Sequence, residues 1–252
     1  MSLLTVEEQY MVFAVLMAVV AIGFIIAVVR LPSSRRRYYL PIMVLPAVTA
    51  IALAMVSQNI LVPTGPDGDP VPLPRMVAYG VLFPTIMIYI GLAGGVSRKE
   101  IATLVGLILM VVGGLVFSWL VPEPVGPLGV IVMLVSLVAT AYLLLGPYAR
   151  IAAEQSGTRN LLYGKLRNLV LLLWVMLVAT GLAAPQTLGL LERLMSSFMG
   201  NYIDMLAVLG FGLIVLRSQE AMNEIFQEKG LLDESETASE SEPLPDGPST
   251  TD

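Results

Sequence analysis

Asn201-Tyr-Ile-Asp204-Met-Leu-Ala207-Val208-Leu-Gly210-Phe-Gly212-Leu-Ile-Val-Leu-Arg217-Ser218 is the stretch on which the reading of this chain turns. With its flanks it forms an apolar run over residues 190–220, long enough to cross the hydrocarbon core of a bilayer as a helix. Its one interior charge is Asp204, and Val208 follows four residues later, on the same side of a helix. A lone carboxylate at that depth must be protonated or paired, because desolvating an unpaired ion is expensive. An ionisable residue inside a membrane span is by default a functional candidate.

The rest of the chain fits this setting. Of its 252 residues 13% are charged and 56% hydrophobic, and the mean hydropathy is +0.82. That leaves too little polar surface for a soluble domain, so the chain reads as an integral membrane protein. Histidine and cysteine are both absent, which excludes zinc sites, haem ligation by those residues, disulfides and histidine-dependent hydrolase chemistry. No catalytic or metal-binding residue is nominated, and the chain is not expected to be an enzyme. It shows no basic face for nucleic acid and no phosphate-binding loop.

Seven apolar stretches of spanning length recur, roughly over 8–30, 38–61, 74–95, 99–120, 126–150, 160–183 and 190–220. The first lacks the basic leader of a signal peptide and is expected to be retained as a helix. Pro63-Thr-Gly65-Pro66-Asp67-Gly68-Asp69-Pro70, between the second and third, suits a turn or small hairpin. Val121 to Pro127 makes a short turn that forces the fourth and fifth to run antiparallel. If the N-terminus lies outside, twelve of the fourteen basic residues fall on the cytoplasmic side, leaving only Arg75 and Arg193 toward the exterior. The expected topology is therefore N-terminus out, C-terminus in. Residues 1–222 are expected to form the seven-helix domain and 223–252 an acidic, disordered cytoplasmic tail, either merely solvated or a docking site for a partner. Gly91 with Gly95, and Gly106, Gly113 and Gly114, would permit close helix contacts, within the chain or in an oligomer.

Several segments together resemble the microbial (type 1) rhodopsins of the bacteriorhodopsin group, best known from halophilic archaea. Tyr38-Tyr39 with Leu45-Pro46-Ala47 resembles that family's second helix, Pro74-Arg75 with Phe83-Pro84 its third, Ala102 to Gly106 its fourth, Leu166-Arg167-Asn168 with Leu173-Trp174 its sixth, and the opening stretch its seventh. The resemblance implies an all-α bundle of seven transmembrane helices in the plasma membrane. It also implies a bacteriorhodopsin-like opsin lacking the retinal-binding lysine. Val208 stands where the family carries that lysine, and valine offers no amine for a Schiff base.

Other positions carried over from the resemblance are altered as well. The counterion and proton acceptor falls on Ala78, the accompanying threonine on Leu82, and the proton donor on Tyr89. Alanine and leucine cannot exchange a proton, and tyrosine does so only near pH ~10. In the chromophore pocket Trp174 is kept and Tyr79 replaces a tryptophan. Smaller or aliphatic residues stand at the other aromatic positions: Leu53, Met76, Met133, Leu177 and Gly181. With glycine at 181, either the helices close inward or another apolar body fills the space. What survives is the pair Asp204 and Arg75, read either as a salt bridge or neutral hydrogen-bonded acid fixing the third and seventh helices, or as part of an ion or proton path. The lysines Lys99, Lys165 and Lys229 all lie near span ends. Covalent retinal is therefore excluded, and no cofactor is expected, although retinal, carotenoid or lipid held without a bond stays open.

The function these residues favour is a non-pumping regulatory or assembly paralogue acting through membrane partners. Candidate partners are other rhodopsins or enzymes of isoprenoid and carotenoid metabolism, in a homo- or hetero-oligomer within the lipid bilayer. The alternatives are a photoreceptor or light-driven ion transporter with non-covalent retinal, and a light-independent channel or transporter.

Overall fold

The computed structural model describes residues 5–66, 68–185 and 187–228. Seven helices among them are long and apolar enough to cross a membrane. We label the helices α1 (Val6–Val29), α2 (Ser33–Ser57), α3 (Leu73–Gly94), α4 (Arg98–Leu120), α5 (Pro127–Leu145), α6 (Pro147–Ala153), α7 (Gly157–Ala183) and α8 (Arg193–Arg217). The fifth span is α5 and α6 together. It breaks at Gly146 because Pro147 lacks the N–H that would continue the hydrogen-bond ladder.

Helix starts follow their local chemistry. Thr5 with Glu8 and Ser97 with Glu100 form reciprocal capping boxes at α1 and α4, and the Ser156 hydroxyl accepts from the Arg159 N–H at the start of α7. Pro41, Pro46 and Pro84 lie inside helices, as membrane helices permit. The 63–70 loop forms the small hairpin its glycines and prolines predict, with one antiparallel bridge between Thr64 and Pro70 and Gly65 N–H donating to the Asp69 carbonyl at 2.8 Å.

The helices form a closed ring in which α1 packs on α2 and α8, and α3 reaches across to α7. α3 is the most buried span. Apolar side chains such as Val19, Ile22, Val138 and Val175 stay exposed around the outside, as expected where lipid is the solvent. At the α4–α5 contact a Cβ on Gly114 would lie 2.6 Å from the Gly129 carbonyl oxygen, and one on Gly129 2.4 Å from that of Gly114. These small residues serve close packing within the chain. α5 and α7, by contrast, are joined mainly through α6, and the halves of these two helices near the chain's N-terminal end stay apart.

At the opposite end a short helix over 219–228 returns to the bundle, burying Ala221, Met222 and Ile225. Phe226 stacks on Tyr38 with ring centroids 3.6 Å apart. The expected boundary at residue 222 falls inside this helix, because its apolar face continues to Ile225 and Phe226. Residues 229–252, the remainder of the expected tail, lie outside those described.

Candidate functional site: a buried ion pair beside an open cavity

α3 and α8 bring three polar side chains together. The Arg75 Nε–H donates to Asp204 Oδ2 at 2.9 Å, and the Tyr79 hydroxyl donates to Oδ1 at 2.6 Å. Both carboxylate oxygens are thereby engaged, and the charge is paired, as burial demands. Arg75 and Tyr79 are four residues apart on one helical face, and the guanidinium lies 5.4 Å from the tyrosine ring centroid. The pairing of Arg75 with Asp204 is the one expected from sequence, whereas Tyr79, expected only as a pocket wall, is a third member of the cluster; its i,i+4 spacing to Arg75 is the signal in the sequence. Gly200 was also missed. A Cβ there would meet Arg75 Nη2 at 2.6 Å, so the glycine is what lets the guanidinium lie against the backbone of α8.

Nη1 and Nη2 of Arg75 have no hydrogen-bond partner among the described residues, yet neither is sealed from solvent. They face a cavity of about 690 Å³, within the ~300–1,000 Å³ usual for small-molecule sites. Its inner wall comes from α3, α4, α5 and α7, and includes Met76, Tyr79, Met133, Trp174, Leu177 and Gly181. It reaches the end of the bundle that holds the start of α1, where Glu7, Asp69 and Arg193 border it.

The positions expected to form one chromophore pocket are therefore divided. Val208 is only 1% exposed and Leu53 fully buried, both packed into the contiguous hydrophobic core, and Ala78 is buried too. None of the three lines the cavity. Around Gly181 the helices have not closed inward, since a Cβ there would meet nothing within 4 Å. Of the two outcomes foreseen for the missing aromatic, inward closure of the helices does not occur.

The proton-path positions are equally closed. Leu82 is buried, and the Tyr89 hydroxyl donates to the Tyr38 carbonyl. Lys99 is exposed at the start of α4, and Lys165, expected at a span end, lies more than two turns inside α7 but is exposed on its outside; Lys229 lies outside the described residues. A second buried cation went unanticipated. Arg159, assigned to the water-facing side by sequence, is 8% exposed, donating to the Leu92 carbonyl at 2.9 Å and to Glu228 at 2.5 Å. Beside it Glu224 accepts hydrogen bonds from Ser156 and Thr158, which hold its carboxyl below the usual glutamate range.

Residues 5–222 match the family of bacteriorhodopsin-like proteins. The chain belongs to that family. Sensory rhodopsin-2 of Natronomonas pharaonis is 26% identical over 189 residues, 73% of this chain and 77% of that protein. Cruxrhodopsin-3 of Haloarcula vallismortis is 26% identical over 202 residues, covering 76% and 80% respectively. Among solved structures, thermophilic rhodopsin from Rubrobacter xylanophilus superposes with a TM-score of 0.79 at 19% identity, over 88% of this chain and 99% of the other. The light-driven proton pump of Coccomyxa subellipsoidea gives 0.75 at 20% identity, over 84% and 96%. These likenesses establish the rhodopsin fold and a multi-pass protein of the cell membrane. Family members bind retinal, and the site must be judged against that group. The open cavity could receive an apolar polyene beside Trp174, but the buried position four residues beyond Asp204 is a valine, so nothing there can bond to it.

Proposed function

We propose that this rhodopsin-family protein is neither a pigment nor a pump, but a regulatory or assembly paralogue that works through other membrane proteins. The observation that carries this reading is Val208. It is packed at 1% exposure one helical turn from Asp204, where the family resemblance puts the retinal lysine, and no other described lysine lies inside the bundle. Ala78 and Leu82 can neither accept nor relay a proton, and the Tyr89 hydroxyl is committed to Tyr38. The Arg75–Asp204–Tyr79 cluster then acts as a tie between α3 and α8. In this reading the end of the bundle with the start of α1 faces outward, the cytoplasmic side carries most of the basic residues, and the protein catalyses no reaction. Partners are sought among other rhodopsins and membrane enzymes of isoprenoid and carotenoid metabolism.

A second reading, retinal held without a covalent bond, is favoured by one observation, the open cavity beside Trp174 and Tyr79. Illuminating vesicles that contain the purified protein and added all-trans retinal tests both. The first reading predicts no light-dependent pH change. A sustained change, abolished by Asp204→Asn, would overturn it.

A further inference from the structure

The cavity has two chemically distinct ends, and together they define a ligand. One end is apolar, bounded by Met133, Trp174, Leu177 and the bare backbone of Gly181, an exposed residue in the last turn of α7. Deep beside it stands a guanidinium whose Nε is committed to Asp204 while Nη1 and Nη2 have no partner among the described residues. The Ser197 hydroxyl, on the same cavity wall, is buried without a partner among the described residues. That hydroxyl carries a desolvation penalty, and the two guanidinium nitrogens, open to the cavity, are free to donate to an acceptor-bearing ligand.

The charges constrain the head group further. Arg75 and Arg193 border the cavity, and Asp204 lies directly behind Arg75. Asp204 already balances Arg75, and at the rim Glu7 and Arg193 are exposed and Asp69 half-exposed, so water solvates all three; an acidic head is drawn by the free edge of the Arg75 guanidinium and not by an unmet net charge. A carboxylate fits the fork of a guanidinium bidentately, which an alcohol or aldehyde cannot do. The geometry points to a binding site for a single-chain carboxylic acid, its apolar tail between α4, α5 and α7 and its head on Nη1 and Nη2 of Arg75. The site rests on the reading that no covalent chromophore occupies this space, but its test has a different readout from the test of that reading.

Both tryptophans of the chain, Trp119 and Trp174, line the cavity, so a conjugated ligand bound there quenches their fluorescence. The probes are all-trans retinoic acid and all-trans retinol, which share a hydrocarbon body and differ in the head group. They are titrated into the purified full-length protein in lipid nanodiscs. The expected result is saturable quenching at one equivalent, with the acid at least ten-fold tighter than the alcohol. Arg75→Gln brings the acid down to the affinity of the alcohol. Gly181→Trp, which fills the apolar end without a Cβ clash, abolishes saturable quenching by both. Phosphatidic acid in the disc, carrying two chains, does not displace retinoic acid. Equal affinity of acid and alcohol overturns the assignment, as does unaltered binding in folded Gly181→Trp or displacement by phosphatidic acid. If Arg75→Gln does not fold, the comparison of acid with alcohol on the unaltered chain still decides the head group. A visible band with retinal would refute the pigment-free reading without touching this result, and failure of retinoic acid to bind would refute the site alone.

Discussion

Removing one member of the α3–α8 cluster at a time should produce unequal losses, because the two charges are buried unequally. Asp204 is 2% exposed and Arg75 12%, with the terminal nitrogens of Arg75 facing the cavity. Arg75→Met leaves a carboxylate supported only by the Tyr79 hydroxyl. Breaking a buried pair in this way costs about 3–5 kcal/mol, most of it from the uncompensated charge. Asp204→Asn keeps an acceptor beside Arg75, whose charge water in the cavity can solvate, so its loss should be nearer ~1.5–3 kcal/mol, the range of a charged hydrogen bond. Replacing both, in Arg75→Met with Asp204→Leu, removes the stranded charge along with its partner. The double variant should be more stable than the sum of the singles by about 2 kcal/mol or more, since apolar replacement of a buried pair is often close to neutral. Reversible denaturant unfolding in mixed micelles, followed by circular dichroism, measures all four corners of the cycle. Equal losses in the two single variants, or strictly additive losses in the double, would refute the claim that this pair is a desolvated structural tie.

Gly200→Ala should cost about 1–3 kcal/mol, the usual range for overpacking, since its Cβ would fall 2.6 Å from Arg75 Nη2; the same unfolding assay reads it. Val208→Lys with Ala78→Asp should yield retinal-dependent visible absorbance, yet with reduced thermal stability, because Val208 is packed in the core; a folded double variant that stays colourless would count against the alignment of Val208 with the family's lysine. Glu224 has a lowered pKa in the folded chain. Its contribution is therefore present above the ordinary glutamate pKa and lost as pH falls through its lower folded value. Amide exchange in 219–228 should accelerate in that acidic window, and Glu224→Gln should remove the pH dependence. Exchange that is insensitive to pH after correction for intrinsic rates would show that the Ser156–Thr158–Glu224 contact does not hold this helix.

Most of the fold was legible in the sequence because the bilayer imposes a length and a polarity on each span. The 126–150 span, for example, could be found from its apolar run, while its break at Gly146 is a local backbone event that hydropathy averages over. The pairing of Asp204 with Arg75 was legible because two charges inside a bundle have few alternatives. The role of Tyr79 was not, since a buried tyrosine satisfies a wall and a hydrogen bond equally well from sequence alone. Gly200 could not be recognised either, because its function depends on which side chain crosses α8. The burial of Arg159 depended on the return of 219–228 across the bundle, in a segment whose polar residues, Gln219, Glu220, Asn223 and Glu224, hide its apolar face. Finally, substitutions at Gly181 and Val208 look alike as losses in sequence. In three dimensions they have opposite outcomes: one leaves space, the other fills it.

Whether this member of the family forms a retinal pigment is decided by its absorption spectrum after purification from cells supplied with all-trans retinal. The unaltered protein should show no visible band after gel filtration. A band that persists through gel filtration and bleaches with hydroxylamine would refute this, because that reaction reports a covalent retinylidene bond, and no lysine among the described residues is buried to form one.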